Sequence, residues 1–165
     1  MAGPHGAVGT QLNQGKFAAI RKFTSPGCVV YARFKGMENI GKKIEETRQW
    51  AMKKGYTIVG VPTCVCQADF AAAPDRSAIE VQWPIAEIVA EQNGEIGVKW
   101  HYSLEVLSTY HRGSYETIGQ SYDFLMAVVR EKHLGVPTGT RSVYLTEPSQ
   151  TAGDANLTEC QVMLQ

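Results

Sequence analysis

Two segments of the chain carry apolar residues at the same helical spacing. The stripe falls at positions i, i+4, i+7 and i+11 in both: Ile40, Ile44, Thr47 and Ala51, then Ile118, Tyr122, Leu125 and Val129. Residues at this spacing share one face of an α-helix, where they can pack against a core. The pattern therefore predicts two helices, over residues 40–54 and 118–132.

The sequence around the two predicted helices is repeated as well. Each helix begins with Ile-Gly, follows a run typical of a β-strand and precedes a Gly-Val-Pro turn, and each half closes on a Glu-x-Gln strand. These features are Ile40-Gly41, 28–34, 60–62 and 80–82, then Ile118-Gly119, 104–111, 135–137 and 159–161. The same features in the same order indicate a duplication. Because glycine lacks a side chain, we expect each helix to approach its sheet closely at the Ile-Gly pair.

The remaining apolar runs predict further strands, at 17–23, 57–66, 79–85, 98–102, 141–145 and 158–164. Turn residues at 24–27 suit a hairpin between the first two strands, and Asn93-Gly94 suits the boundary between the halves, so that the strand at 98–102 serves the second half. We predict an α+β fold: a two-layer, pseudo-twofold duplication of a β-α-β-β unit, with antiparallel sheets and one main helix per half. A flexible tail over 1–15 would precede a single domain over 16–165, made of repeats at about 16–92 and 93–165.

Composition narrows the classes of partner. The 16 basic and 16 acidic side chains cancel, which argues against direct nucleic-acid binding and against a polybasic membrane anchor. No apolar run reaches the roughly 18 residues that a membrane span needs. The first fifteen residues lack the apolar segment of a signal peptide, so we expect a cytoplasmic protein.

The sequence offers little sign of metal, cofactor or conventional catalytic chemistry. Its four cysteines are expected to be reduced, buried thiols, and no histidine lies near the Cys64–Cys66 pair to complete a metal site. A Gly-x-Ser-x-Gly nucleophile motif and a phosphate-binding glycine loop are both absent. We therefore expect no metal and no cofactor, and the catalytic residues of any enzyme activity stay unknown.

Glu80 and Glu159 are the most informative polar residues. Each lies in a strand whose alternate positions are mostly apolar, so the carboxylates belong to the opposite face. That face either meets solvent, as is usual, or forms the floor of a cleft where the carboxylate awaits a cation or a hydrogen-bond donor. His111 is more simply explained as a strand-end histidine bonded to the backbone than as a catalytic base.

Aromatic residues near these strands could pack in a core or line a pocket. Four of them complete the predicted ligand-binding set, because flat aromatic faces attract apolar and cationic ligands. The set is Glu80, Trp83, Tyr110, Tyr115, Tyr144 and Glu159.

Several motifs occur in a fixed order: 111–116 (His-Arg-Gly-Ser-Tyr-Glu) with Ile118-Gly119, 144–148 and 157–162, and in the first half 31–33, Trp50 and 79–85. Together they resemble GyrI-like domains, the effector-binding domains of AraC-type and MerR-type bacterial regulators. The resemblance runs from about residue 16 to residue 164. Two positions depart from it: Met163 stands where proline is usual, and the Cys64–Cys66 segment stands where a tyrosine is frequent.

The resemblance implies a pseudo-twofold fold with a ligand cleft between the repeats, and a buried glutamate with surrounding aromatic residues. A stand-alone protein that binds small amphipathic, aromatic or cationic molecules is the leading interpretation. One alternative is a GyrI-like hydrolase of reactive compounds, in which a cleft Glu activates water beside a Tyr; a Glu with a raised pKa would favour it. The other is a protein-partner inhibitor of the gyrase-inhibitor type. A homodimer stays open.

Overall fold

A computed structural model describes residues 18–67, 78–146 and 155–165. The predicted tail over 1–15 lies outside these residues, as does the Glu147-Pro148 part of one GyrI-like motif. The described chain forms eight strands and two α-helices: β1 (Ile20–Phe23), β2 (Gly27–Phe34), α1 (Ile40–Lys53), β3 (Thr63–Gln67), β4 (Ile79–Pro84), β5 (Ile96–His101), β6 (Glu105–Arg112), α2 (Ile118–Lys132), β7 (Pro137–Tyr144) and β8 (Leu157–Leu164).

The chain divides into two compact units that are not consecutive halves. The first unit is Ser25–Ser103, which contains β2, α1, β3, β4 and β5. The second unit combines β1 with Leu104–Gln165, which contains β6, α2, β7 and β8. The second unit therefore takes its strands from both sides of the first unit in the sequence.

In the first unit, α1 covers one face of an antiparallel sheet with the strand order β3-β4-β2-β5. The helix packs on β2 and β4. Its predicted stripe is confirmed, because Thr47 and Ala51 are its buried residues. The apolar core under the helix consists of Cys28, Val30, Ala51, Ile85 and Val98.

In the second unit, α2 covers one face of an antiparallel sheet with the order β7-β8-β6-β1. The helix packs on β6 and β8. The core beneath it is larger than in the first unit and consists of Ala19, Leu107, Phe124, Leu125, Val128, Val129, Cys160, Val162 and Leu164. Leu125 and Val129 of the predicted stripe belong to this core.

The two units therefore share one topology, a β-α-β-β unit with an additional edge strand. This arrangement confirms the predicted α+β class, the antiparallel sheets and the single helix of each unit. The edge strand differs in its position along the chain. In the first unit, β5 directly follows the β-α-β-β motif that it joins. In the second unit, β1 comes before the motif that it joins, and the whole first unit lies between them in the sequence.

The predicted hairpin between the first two strands is wrong. β1 pairs with β6, and β2 pairs with β4 and β5. The strand predicted at 98–102 for the second half is instead β5, which pairs with β2 of the first. Turn residues show where a chain can reverse but do not determine the strand partner, which depends on distant pairing. Asn93-Gly94 accordingly lies in a tight reversal bridged by Gln92 and Val98, not at a boundary.

Local details also differ from the prediction. The strand expected at 57–66 is shorter, because only an isolated bridge from Ile58 to Ile85 precedes β3. The strand expected at 141–145 begins earlier, at Pro137. Close helix–sheet contact at Gly41 and Gly119 is not found, because nothing lies within 4 Å of a Cβ added at either residue. Both glycines are exposed.

Candidate functional site

The side of the second sheet that faces away from α2 carries several buried polar residues. Cys160 and Val162 of β8 belong to the core under the helix. Because successive side chains of a strand point to opposite faces, Glu159 and Gln161 lie on the other side. By the strand register, this surface, named the Glu159 face, comprises Lys22, Ser108, Tyr110, Arg141, Glu159 and Gln161. Glu159 is only 8% exposed, so this face is not the solvated surface that alternation alone makes usual.

Glu159 is held by three polar side chains, all at one of its two oxygens. Lys22 Nζ lies 2.5 Å from Oε2, and Ser108 Oγ and Gln161 Nε2 each donate to Oε2 over 2.7 Å. No hydrogen bond or ion pair from the described residues reaches Oε1. Burial acts to raise the pKa of the Glu159 carboxyl, but the hydrogen bonds from Lys22, Gln161 and Ser108 outweigh it and lower that pKa. Glu159 is therefore ionised at neutral pH.

Glu80 occupies the matching position in the first unit, and both of its oxygens are bound. Lys99 Nζ lies 2.5 Å from Oε1, Gln82 Nε2 donates to Oε1 over 2.7 Å, and Arg33 Nε donates to Oε2 over 3.0 Å. Burial raises the pKa of Glu80, and the hydrogen bonds from Gln82, Lys99 and Arg33 more than offset this, so that the pKa is lowered.

The ring of Tyr31 completes this polar surface of the first unit, named the Glu80 face. The Arg33 guanidinium lies 5.0 Å and the Lys99 ammonium 4.8 Å from the ring centroid. Both distances are within the range of cation–π attraction. The two cations near Glu80 thus share an aromatic neighbour as well as a carboxylate.

Strand register shows which residues of the two faces correspond. Glu80 lies opposite Arg33, whereas Glu159 lies opposite Tyr110, which is 53% exposed. The second cation of the Glu80 face is therefore replaced by an exposed aromatic ring on the Glu159 face. A second difference is at the neighbours of the glutamines, where Gln82 lies opposite Thr63 but Gln161 lies opposite Arg141.

Arg141 is a buried cation with few partners. It is 7% exposed, and its Nη1 donates to Gln161 Oε1 over 2.7 Å. Its Nε is buried and has no hydrogen-bond partner among the described residues. Burial lowers the pKa of the Arg141 guanidinium, and the charge of Glu159 opposes that effect.

The six predicted site residues do not all lie together. Tyr110 shares the Glu159 face with Glu159, and Glu80 lies on the Glu80 face. Trp83 is on the helix side of its sheet, where its Nε1 donates to the carbonyl of Ile44 over 2.9 Å. Tyr144 and Tyr115 form an edge-to-face pair, with centroids 5.6 Å apart, on the α2 side of the second sheet. The structure thus brings together one glutamate and one aromatic residue of the predicted set.

His111 is structural, as the sequence indicated. Its Nε2 lies 3.0 Å from the carbonyl of Ser114 and its Nδ1 lies 3.0 Å from Ser121 Oγ. A proton on Nε2 satisfies the carbonyl, and Nδ1 then accepts from the Ser121 hydroxyl. The ring therefore joins the end of β6 to the start of α2.

An open groove of about 650 Å³ lies along α1, and none of the predicted ligand residues lines it. Trp50 and Ile96 give it an apolar floor, and Lys42, Glu45 and Lys53 are among its charged sides. Lys42 and Glu45 are exposed and each pairs with a neighbour on the same helix, whereas the Glu159 carboxylate is buried. The electrostatics therefore favour the Glu159 face as the functional site.

The described residues contain no group of three His, Cys, Asp or Glu side chains that could hold a metal ion. Neither helix in the described part of the chain has the length and apolar character needed to cross a membrane.

Sequence reasoning missed most of the cations and amides that hold the glutamates. Lys22, Arg33 and Lys99 lie in strands that alternation identified, but their partners are set by pairing between distant strands. The alternation of side chains within each strand could have shown which face each cation lies on. Lys99 in β5, for example, is next to the core residue Val98 and must therefore face the other side of the sheet.

Comparison with known proteins supports the fold. No protein-family model and no curated protein matches the chain. Among solved structures, the C-terminal domain of EcmrR has a TM-score of 0.79 at 18% identity, with 91% of this chain and 98% of that one covered. EcmrR in a cryo-EM structure of its DNA complex has the same score and identity, with 94% of this chain covered; this chain spans 61% of the length of that one.

Two other solved structures are similar at greater distance. A hydrolase encoded by lin2189 from Listeria innocua has a TM-score of 0.65 at 10% identity, covering 87% of this chain and 90% of that one. SAV2435 bound to tetraphenylphosphonium has a TM-score of 0.51 at 10% identity, covering 89% and 93%. The chain therefore shares its fold with these structures, and the fold that the resemblance to GyrI-like domains implied is confirmed.

Proposed function

We propose that the chain is an effector-binding protein for small amphipathic, aromatic molecules, and that a cationic group of the ligand binds on the Glu159 face. One observation carries the proposal: where the Glu80 face has Arg33, the Glu159 face has the exposed ring of Tyr110. Glu159 consequently keeps Oε1 without a partner among the described residues. A ligand cation at this oxygen takes the role that the Arg33 guanidinium has at Glu80.

The carboxylate is prepared for such a ligand. Lys22, Ser108 and Gln161 fix its orientation, and its lowered pKa keeps it ionised. Ligand binding therefore needs neither deprotonation nor reorientation of Glu159, which reduces the cost of association. The Tyr110 ring beside it supplies apolar contact and a cation–π attraction of about 0.5 to 2 kcal/mol.

The hydrolase alternative finds support in the fold shared with the Listeria innocua hydrolase. Its chemical requirement is a glutamate with a raised pKa, which could accept a proton from water. The pKa values of Glu80 and Glu159 are both lowered, which makes each carboxylate a weaker base. The electrostatics thus favour binding over hydrolysis, and the proposal assigns no DNA contact to this chain.

Isothermal titration calorimetry with two probes of matched shape and opposite charge tests the proposal. Tetraphenylphosphonium is expected to bind, and tetraphenylborate to bind much more weakly. Glu159→Gln should weaken tetraphenylphosphonium binding by about tenfold or more, since the electrostatic attraction between the carboxylate and the phosphonium charge is lost. Glu80→Gln, the matching change in the first unit, should leave the affinity unchanged.

A third variant tests the position of the ligand cation. Tyr110→Arg recreates the Arg33–Glu80 arrangement, so its own guanidinium should occupy Oε1 and abolish tetraphenylphosphonium binding. Equal losses in Glu159→Gln and Glu80→Gln, or full affinity in Tyr110→Arg, would contradict the proposal. Consumption of an added electrophile that stops in Glu159→Gln would favour the hydrolase instead.

A further inference from the structure

Among the charged side chains described on the Glu80 and Glu159 faces, Arg141 has the fewest hydrogen-bond partners for its donors. It is more than nine-tenths buried. Within the described residues, its side chain makes one hydrogen bond, from Nη1 to Gln161 Oε1. Neither Nε nor Nη2 has a hydrogen-bond partner among the described residues. A guanidinium buried in this state has lost water contacts that the protein replaces only in part.

The unused atoms form one edge of the guanidinium. Nε and Nη2 lie side by side in its plane, and their two N–H groups point in parallel. This spacing matches the two oxygens of a carboxylate, which accept both bonds at once. The remaining side is occupied by Gln161, so Arg141 presents one two-donor edge of fixed orientation.

We infer that the Nε–Nη2 edge of Arg141 is a binding site for a carboxylate group of a ligand. The corresponding residue of the first unit is Thr63, so the site belongs to the second unit alone. Charge on the Glu159 face supports this assignment, because Lys22 and Arg141 together exceed Glu159 by one positive charge. A bound monoanion brings the face to neutrality.

The surroundings favour a carboxylate over a phosphate. Gln161 accepts from Arg141 and donates to Glu159 Oε2, so the glutamate charge is one amide away from the guanidinium. A dianion at Arg141 is repelled by that charge more strongly than a monoanion. A planar group also uses both donors of the edge without needing further cations.

The site is separate from the cation site at Glu159 Oε1 and does not depend on it. Together they fit an amphipathic ligand that carries both an amine and a carboxylate, or two ligands of opposite charge. Binding of a simple carboxylate therefore tests Arg141 even if tetraphenylphosphonium does not bind.

The experiment is calorimetric titration of the full chain with benzoate, with benzamide as the neutral isostere and inorganic phosphate as the tetrahedral anion. Benzoate should bind with millimolar affinity, benzamide and phosphate at least about tenfold more weakly. Arg141→Met should weaken benzoate by about tenfold or more and leave benzamide unchanged. This variant replaces a buried charged side chain with an apolar one of similar length, so it should fold.

Arg141→Lys separates the effect of the two parallel N–H donors from the effect of the positive charge. Lysine keeps the positive charge but loses the two parallel donors, so benzoate affinity should fall between those of wild type and Arg141→Met. A second readout uses the unmutated protein: the ¹⁵N–¹H signal of Arg141 Nε should move on titration with benzoate and stay in place with benzamide.

Several results would overturn the inference. They are no benzoate binding at millimolar concentrations, equal benzoate affinity in wild type and Arg141→Met, or an Nε signal that does not respond to bound benzoate. Tighter binding of phosphate than of benzoate would also contradict it, because the site would then select charge rather than the planar pair of oxygens.

Discussion

Lys22 and Lys99 occupy corresponding positions in the two units, although one lies before the first helix and the other after it. Lys22 is paired with Val106 in the β1–β6 register, and Lys99 with Val29 in the β2–β5 register. Each ammonium lies 2.5 Å from the glutamate of its own unit. The duplication thus preserves a lysine–glutamate pair even though the lysine comes from an edge strand of different origin.

The first prediction concerns acid stability. Because the pKa of Glu159 is lowered in the folded chain, its contribution to stability is present above its ordinary pKa of about 4.3 and is lost as the pH falls through the folded value. Urea unfolding of wild type should show stability falling below about pH 5, with a smaller fall in Glu159→Gln. At neutral pH this variant should lose about 1 to 2 kcal/mol.

The variant Lys22→Met provides the matched control. If the ion pair lowers the pKa, Glu159→Gln should cost less stability in the Lys22→Met background than in wild type, as a double-mutant cycle measures. Identical acid profiles for wild type and Glu159→Gln would show that the pair does not have the assigned effect.

The second prediction concerns Gly97, whose lack of a side chain lets Tyr31 cross β5. A Cβ there would lie 2.8 Å from the Tyr31 hydroxyl and would collide with the Gln92 carbonyl. Gly97→Ala should therefore destabilise the chain by about 1 to 3 kcal/mol, as overpacking does. Thermal unfolding measures the loss, and an unchanged midpoint would refute the close approach.

The third prediction is the reverse effect at Gly41, an exposed residue of α1. Nothing lies within 4 Å of a Cβ added there. Gly41→Ala should stabilise the chain by about 0.5 to 1 kcal/mol, because alanine has the higher helix propensity and loses less backbone entropy. Gly119→Ala in α2 should behave alike. If both variants lost stability, the result would instead support the close helix–sheet contact that the repeat suggested.

The fourth prediction ranks cysteine reactivity. A hydrogen bond with Cys64 lowers the pKa of Cys66, which is partly exposed, whereas burial raises the pKa of Cys160 to about 12. Iodoacetamide followed by peptide mass spectrometry should therefore modify Cys66 first and Cys160 slowly, since the thiolate is the reactive form. Denaturation in urea should remove the difference. Comparable native rates at the two residues would argue against this order.

The helices and the glutamate strands could be predicted because their signals are local. The apolar stripe of Ile118–Lys132 fixes both the helix and its buried face, and the bounds match those observed. Alternation likewise places the side chains of Glu159 and Cys160 on opposite faces of the sheet. In both cases a few consecutive residues contain all the information that the prediction needs.

The site could not be assembled from the same local signals. Trp83 and Glu80 are three residues apart in one strand, so alternation itself separates them, and Trp83 lies on the helix side. The distant partners of Glu159 depend on pairing across long sequence distances, which brings Lys22 from β1 and Ser108 from β6. Nothing in the neighbouring residues indicates those partners.

The origin of β1 has a consequence for how the chain assembles during translation. Thr24 and Leu104 are joined by two hydrogen bonds, of 2.8 and 2.9 Å, at the points where the chain leaves the second unit and returns to it. The first unit can complete its sheet once Ser103 has left the ribosome, whereas β1 emerges earlier and has to wait for β6. At about 5 to 20 residues per second, a strand with two apolar side chains, Ile20 and Phe23, stays unpaired for several seconds. During that interval the segment that carries Lys22 is open to misassociation.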